Sequence, residues 1–137
     1  MQGGTFSSPG YHGETGVARG NIFDGNCPTR QLLDRVGDKW SVLILLLLDN
    51  GERRFNNLKR EIGGISQKML AQTLRSLERD GLVAREAEAT VPVTVTYAIL
   101  PLGRELLGAL RLMMEWAETR IASVTDAQRR YDLRAGD

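Results

Sequence analysis

The chain has one cysteine and one histidine in 137 residues. A single cysteine excludes an internal disulfide framework and a multi-cysteine zinc site, and it suits a reducing cytosol. The histidine, His12, lies far from Cys27 along the chain, so the sequence offers neither a nucleophile–base pair nor a metal-ligand set. Neither an enzyme nor a bound metal or cofactor is expected. Long hydrophobic runs are missing as well. The longest, Val42 to Leu48, has seven residues, against the roughly 20 that span a bilayer. The start, MQGGTFSSPG, has no basic region followed by an apolar run, so no signal peptide is expected and the protein reads as cytoplasmic, with no membrane partner. An excess of one charge is also lacking: 18 basic and 17 acidic side chains give a net charge of +1. Bulk electrostatics therefore do not announce nucleic acid, although phosphate binding depends on where charges sit rather than on their sum.

The 42% hydrophobic and 26% charged content is that of an ordinary soluble globular protein, and the length is that of one domain. Residues 1–25 hold seven glycines among polar residues without periodicity, which reads as a flexible arm. Residues 26–123 carry the organised pattern, and 124–137 read as a C-terminal tail with Thr125 as the cap of a final turn. Pro28 suits a first helical position, and Leu32, Leu33 and Val36 give a short amphipathic helix ended by Gly37. Asp38 caps a more apolar helix, Trp40 to Leu48, that runs through the core and stops at Asn50-Gly51. Arg53-Arg54-Phe55 is a brief extended link. Leu82 to Glu88 and Thr94 to Leu100 are β-prone runs joined as a hairpin. Pro101 opens a last long helix that runs to about Ser123.

The segment Phe55 to Asp80, FNNLKREIGGISQKMLAQTLRSLERD, reads as two short helices joined by a Gly-Gly turn. On the second helix Leu70, Leu74 and Leu77 fall on one stripe, while Lys68, Gln72, Arg75 and Arg79 fall on another. A helix that buries leucines on one side and presents long donors on the other is built to lie in a groove, and the major groove of B-DNA, about 12 Å wide, admits one α-helix. Together the pieces predict a mainly α protein with a small β-hairpin wing (α+β), a winged helix-turn-helix that acts through double-stranded DNA. Lys68, Gln72 and Arg75 are placed for base edges. Arg matches the O6 and N7 of guanine and Gln the N6 and N7 of adenine. Ser66 and Gln67 sit at the helix start, where free amides favour a phosphate, and Ser66 also suits an ordinary N-cap. Arg79 reads equally as a phosphate clamp or as a solvated residue. Arg53, Arg54, Lys59 and Arg60 surround the first helix of the motif, where such a unit crosses the DNA backbone.

The long C-terminal helix carries more apolar surface than one face can hold. Leu102, Leu106, Leu110, Met113, Ala117 and Ile121 form one stripe, with Leu107, Leu112, Met114 and Trp116 outside it. A homodimer buries both sets, against the plainer reading of a single wide core face on a monomer. Cys27 lies beside the first helical position, where the helix dipole favours a thiolate, and at the edge of the arm, where access is expected. Modification of Cys27 is then a candidate redox signal, against the plainer reading of a small structural residue. Trp40, Met113, Met114 and Trp116 are candidates to line an apolar pocket for an aromatic effector, although Met and Trp at helical spacing more often form plain core.

The chain resembles the HxlR-type transcriptional regulators, the winged helix-turn-helix group related to the MarR-like regulators. The resemblance is carried by Cys27-Pro28, Gly37-Asp38-Lys39-Trp40, Arg53-Arg54-Phe55 with Leu58, Gly64-Ile65-Ser66-Gln67-Lys68-Met69-Leu70, Leu74-Arg75 to Leu77-Glu78, Asp80-Gly81-Leu82-Val83 to Arg85, and Tyr97 with Pro101-Leu102-Gly103. It covers residues 26 to about 120. It implies a cytoplasmic homodimer on a roughly palindromic operator, usually a repressor and sometimes an activator, without catalysis. It also implies DNA reading by Ser66, Gln67, Lys68, Gln72 and Arg75, and, in some members, oxidant sensing through a cysteine at the place of Cys27. Two features depart from the family pattern. The wing tip, Glu88-Ala89-Thr90-Val91-Pro92-Val93-Thr94, has no base, with Glu86 and Glu88 nearby, and Leu100 stands where a Thr cap is common. The acidic wing and low net charge keep one alternative alongside the regulator, a winged-helix protein-interaction module without DNA binding.

Overall fold

The structure, a computed structural model, describes residues 20–136. Most of the predicted arm, and His12, lie outside the described residues. Residues 20–27 form turns: the Phe23 amide donates to Asn21 Oδ1, the Asn26 amide to Asp24 Oδ1, and the Cys27 amide to the Asp24 carbonyl at 3.0 Å.

The first two helix starts follow the proline and the cap that the sequence offers. Helix α1 (Pro28–Val36) begins on its proline, whose missing N–H costs nothing at that position, and ends at Gly37. In α2 (Lys39–Asp49) the Asp38 carboxylate accepts from the Trp40 amide at 3.0 Å and from Ser41 Oγ at 3.1 Å. The second bond matters because Ser41 is fully buried, and an unpaired hydroxyl there would lose its hydration without replacement. Next come β1 (Arg53–Arg54), α3 (Phe55–Glu61), α4 (Gln67–Arg79), β2 (Val83–Glu88), β3 (Thr94–Ile99) and α5 (Pro101–Ala135). The Arg53-Arg54 link is thus a strand: it pairs antiparallel with β3, placing Arg53 opposite Tyr97 and Arg54 opposite Thr96. The wing is a three-stranded antiparallel sheet in the order β1-β3-β2, not a bare hairpin. Two residues are too few to show an alternating pattern, which is why the sequence hides this strand.

The core gathers Ile44, Leu45 and Leu48 of α2, Leu58 of α3, Leu70, Leu74 and Leu77 of α4, Tyr97 and Ile99 of β3, and Leu107 and Leu110 of α5. Ile62 and Ile65 bury the turn between α3 and α4.

Helix α5 departs from expectation twice. It does not stop near Ser123 but runs unbroken for 35 residues, about 52 Å at 1.5 Å per residue. No glycine or proline interrupts residues 109–135, and Asp126 pairs with Arg129 and Arg130 across one turn, so Thr125 lies inside the helix. Its buried face also differs from the predicted stripe. Gly103, Leu107 and Leu110 are buried, whereas Leu102 and Met113 are 51% and 53% exposed. Gly103 sets this rotation. A Cβ there would overlap the Leu82 carbonyl and lie 2.8 Å from Ile99 Cγ1, so the helix backbone sits directly on the sheet. The sequence has two apolar faces on α5 and cannot choose between them; this contact does. Asp49, at the end of α2, then accepts from Arg104 at 2.7 Å and Arg111 at 2.8 Å, tying α5 to α2.

Gly103→Ala is expected to cost at least the roughly 1–3 kcal/mol typical of overpacking, because the obstruction is largely backbone; urea denaturation measures it. Asp38→Ala removes a cap and the partner of a buried hydroxyl, and is expected to cost about 1–2 kcal/mol in the same assay.

Candidate nucleic-acid interface

The two helices of the motif are held at their turn by burial and by one glycine. The Ile62 amide donates to the Leu58 carbonyl to end α3, Gly64 takes φ +84°, and Ile62 and Ile65 are 4% and 3% exposed. Positive φ is the conformation for which glycine carries no steric cost. Helix α4 then starts on Ser66, whose Oγ accepts from the Met69 amide at 3.0 Å. The cap leaves the hydroxyl oriented toward its own helix. At the other end the Leu82 amide donates to the Leu77 carbonyl and Gly81 adopts φ +77°, turning the chain sharply into β2.

Between these ends α4 is divided as its sequence implies. Leu70, Leu74 and Leu77 are 0%, 1% and 0% exposed, and Thr73 is buried with its hydroxyl donating to the Met69 carbonyl. Gln67, Lys68, Gln72, Arg75 and Arg79 are all exposed. None of these five side chains has a hydrogen bond or ion pair among the described residues. The neighbouring acids do not neutralise them: Asp80 is bound by Arg35 of α1 at 2.6 Å, and Glu78 forms no ion pair with Arg75 among the described residues. The Arg35–Asp80 pair, both side chains largely shielded, is a tertiary contact that the sequence does not announce. Its partners lie 45 positions apart, and no local pattern links them.

The basic residues around α3 separate into two groups. Arg53 is engaged within the fold: its Nε donates to Glu61 at 3.1 Å and its Nη1 to the carbonyls of Gly51 and Glu52. Arg54, Lys59 and Arg60 are exposed, and Arg60 donates to Asn57 Oδ1. A cleft of about 420 Å³ lies between Arg54, Asn56, Asn57 and Arg60 on one side and Pro92, Val93 and Thr94 of the wing on the other.

The remaining candidates are dispersed. Cys27 is 5% exposed, not accessible as its place in the sequence suggests, because the backbone of Gly20 packs over it: a Cβ at Gly20 would lie 3.0 Å from the thiol sulfur. Trp40 is half-buried, with Lys39 Nζ 4.6 Å from its ring centroid and its edge against Gly64. Met114 is half-buried, while Met113 and Trp116 are 53% and 59% exposed. None of the three clefts described along the chain is lined by these four residues. Among the described residues, no cluster of three His, Cys, Asp or Glu side chains could hold a metal, and no helix is long and apolar enough to cross a membrane.

Residues 35–125 match the model of the HxlR-like helix-turn-helix family. The chain is 43% identical over 108 residues to YtfH of Escherichia coli K12, an HTH-type transcriptional regulator, covering 79% of this chain and 86% of that one. Among solved structures, the transcriptional regulator ytfH from Salmonella typhimurium superimposes with a TM-score of 0.74 at 41% identity, over 82% of this chain and 99% of that one. The redox regulator HypR in its oxidized form superimposes with a TM-score of 0.61 at 39% identity, over 68% and 96%. The match spans the two-helix unit, the wing and the start of the long helix, the same elements that present the donor stripe of α4: the chain belongs to the HxlR family of winged helix-turn-helix transcriptional regulators.

Proposed function

We propose that this protein is a homodimeric repressor that binds a palindromic operator by laying α4 of each protomer in the major groove. The observation that carries this reading is the row of exposed, unpartnered donors on α4 opposite a fully buried leucine stripe. Lys68, Gln72 and Arg75 address base edges. Gln67 and the free amides at the start of α4 address a phosphate, with Arg54 and Arg79 adding backbone contacts on either side. Ser66 contributes through the cap that sets where α4 begins. Arg53 contributes by bracing β1 against α3.

The dimer is supported by what α5 leaves uncovered. Beyond Leu110 no residue of the helix is buried, and Leu112, Met113, Trp116, Ile121, Val124, Tyr131 and Leu133 are each between 37% and 70% exposed. A single helix that projects from its domain with this much apolar surface gains most by packing on a second copy. Trp116→Glu and Leu112→Glu together are expected to shift the protein to monomer in light scattering at micromolar concentration while the helical circular dichroism of the domain remains.

Binding is measured by fluorescence anisotropy on the intergenic DNA upstream of the protein's own gene, against a scrambled duplex. A dimer making roughly 6–10 phosphate contacts loses about 10³–10⁵ in affinity between 50 and 200 mM salt. Lys68→Ala and Arg75→Ala are each expected to cost about 1–3 kcal/mol and to relax discrimination at one base pair. Selective, salt-steep binding supports the regulator. Its absence from that DNA and from a random-sequence selection favours the interaction module.

A second reading, regulation by oxidants, is favoured by the likeness to HypR and by the position of Cys27 at the N-cap of α1. With the thiol covered by Gly20, oxidation first requires the preceding segment to lift. The expected result is that diamide releases DNA from the wild type and not from Cys27→Ser; equal release from both removes this reading.

A further inference from the structure

The wing of this protein lacks a basic tip. Its outermost residues are apolar, with Val91 and Val93 102% and 65% exposed, and Glu86 and Glu88 lie on the same face of the sheet as Thr94 and Thr96. Such a tip brings no charge to a phosphate. The same loop, however, forms one wall of the cleft whose other wall is α3, and there the charge is positive. Arg54 and Arg60 line it together with Asn56 and Asn57, facing Pro92, Val93 and Thr94 across about 420 Å³.

Neither guanidinium is neutralised. Arg54 has no ion pair or hydrogen bond among the described residues, and the only partner of Arg60 is the neutral amide of Asn57, which orients it without cancelling its charge. Arg53, one residue earlier, is by contrast consumed by Glu61. The alternation of strand β1 explains the division. Arg53 lies opposite the buried Tyr97 and faces inward, and Arg54 lies opposite Thr96 and faces out. Two arginines whose charge is not cancelled, two amide side chains and a hydroxyl at the lip of one cleft have the chemistry of a phosphate site.

We propose that this α3–wing cleft holds one phosphodiester of the DNA strand that flanks the groove occupied by α4, so that the wing contributes as the uncharged wall of a two-arginine clamp instead of inserting a basic tip. This rests on the DNA-binding reading, adds Asn57 and Thr94 to it, and gives Arg54 and Arg60 of the basic cluster around α3 one shared phosphate. The source of the phosphate is the duplex because α3, which forms one wall of the cleft, leads through the buried turn at Ile62 and Ile65 directly into α4, the helix that carries the donor stripe. Glu86 and Glu88, on the outer face of the sheet, repel the same strand and limit the clamp's strength.

The test uses the full-length protein and a duplex recovered by random-sequence selection with the wild type. Single uncharged methylphosphonates are placed one at a time along both strands, and each duplex is titrated with wild type and with Arg54→Ala/Arg60→Ala. The expected result is one flanking position per half-site at which the methylphosphonate weakens the wild type and not the variant. The variant retains the base preference of the wild type, and its log–log salt slope is shallower by about 0.9 per phosphate lost. Both arginines are exposed, and an unchanged melting temperature confirms that the variant is folded. Glu86→Gln/Glu88→Gln is expected to bind more tightly, with the gain fading at high salt. A variant with the wild-type methylphosphonate pattern and salt slope overturns the clamp while leaving DNA binding intact. Failure of the wild type to select any duplex overturns both.

Discussion

Burial of one stripe of leucines on α4 is the constraint from which the rest follows. Leu70, Leu74 and Leu77 are each at most 1% exposed, and burying a leucine side chain is worth about 1.5–3 kcal/mol. Turning the helix by one residue would expose that stripe and, in one direction, drive Arg75 and Glu78 toward the core in place of Leu74 and Leu77, a cost larger than the gain from any surface contact. The hydrophobic core therefore sets the rotation of α4, and the rotation sets which donors face outward. The cap at Ser66 and the positive-φ glycines at 64 and 81 set where the helix begins and ends. Site geometry is inherited from core packing, with little left for the donors themselves to determine.

The same economy joins α4 to α5. Helix α2 runs through the middle of the core, touching α4 through its leucines and α5 through both packing and Asp49. Gly103 lets α5 seat on Leu82, in the short turn between the end of α4 and the start of β2. A displacement of α5 by a second copy or by a signal would thus reach α4 through α2 and Leu82 together. Arg35–Asp80 adds a third link, from α1 to the C-terminal end of α4. Cys27 is the N-cap residue of α1, so in the proposed redox response a change at the thiol would have a short path to the donor stripe.

Much of this was legible in the residues. The alternation of leucines and long donors on α4, the caps at Asp38 and Ser66, and the runs on either side of the wing are local patterns, and local patterns survive into the fold. What stayed hidden depends on partners distant along the chain. A two-residue strand has no periodicity, so β1 appeared only through its pairing with β3. Two apolar faces on α5 left its rotation undecided until Gly103 met Leu82, and a lone threonine cap signal at Thr125 lost to an uninterrupted run of helix formers. Arg53 and Arg54 look alike in sequence, and only strand pairing shows that one is spent on Glu61 while the other is free. The covering of Cys27 by Gly20 is likewise a tertiary fact, since a position beside a loop suggests access.

In the proposed complex, two copies of α4, held apart by paired α5 helices, enter successive major grooves on one face of the duplex. Hydroxyl-radical footprinting of the protein on a selected duplex tests it most directly. Two protected patches are expected on each strand with centres about 10–10.5 bp apart or a multiple of it, lost when about 5 bp are inserted between the half-sites so that they turn to opposite faces. A single protected patch whose binding is indifferent to that insertion would contradict it.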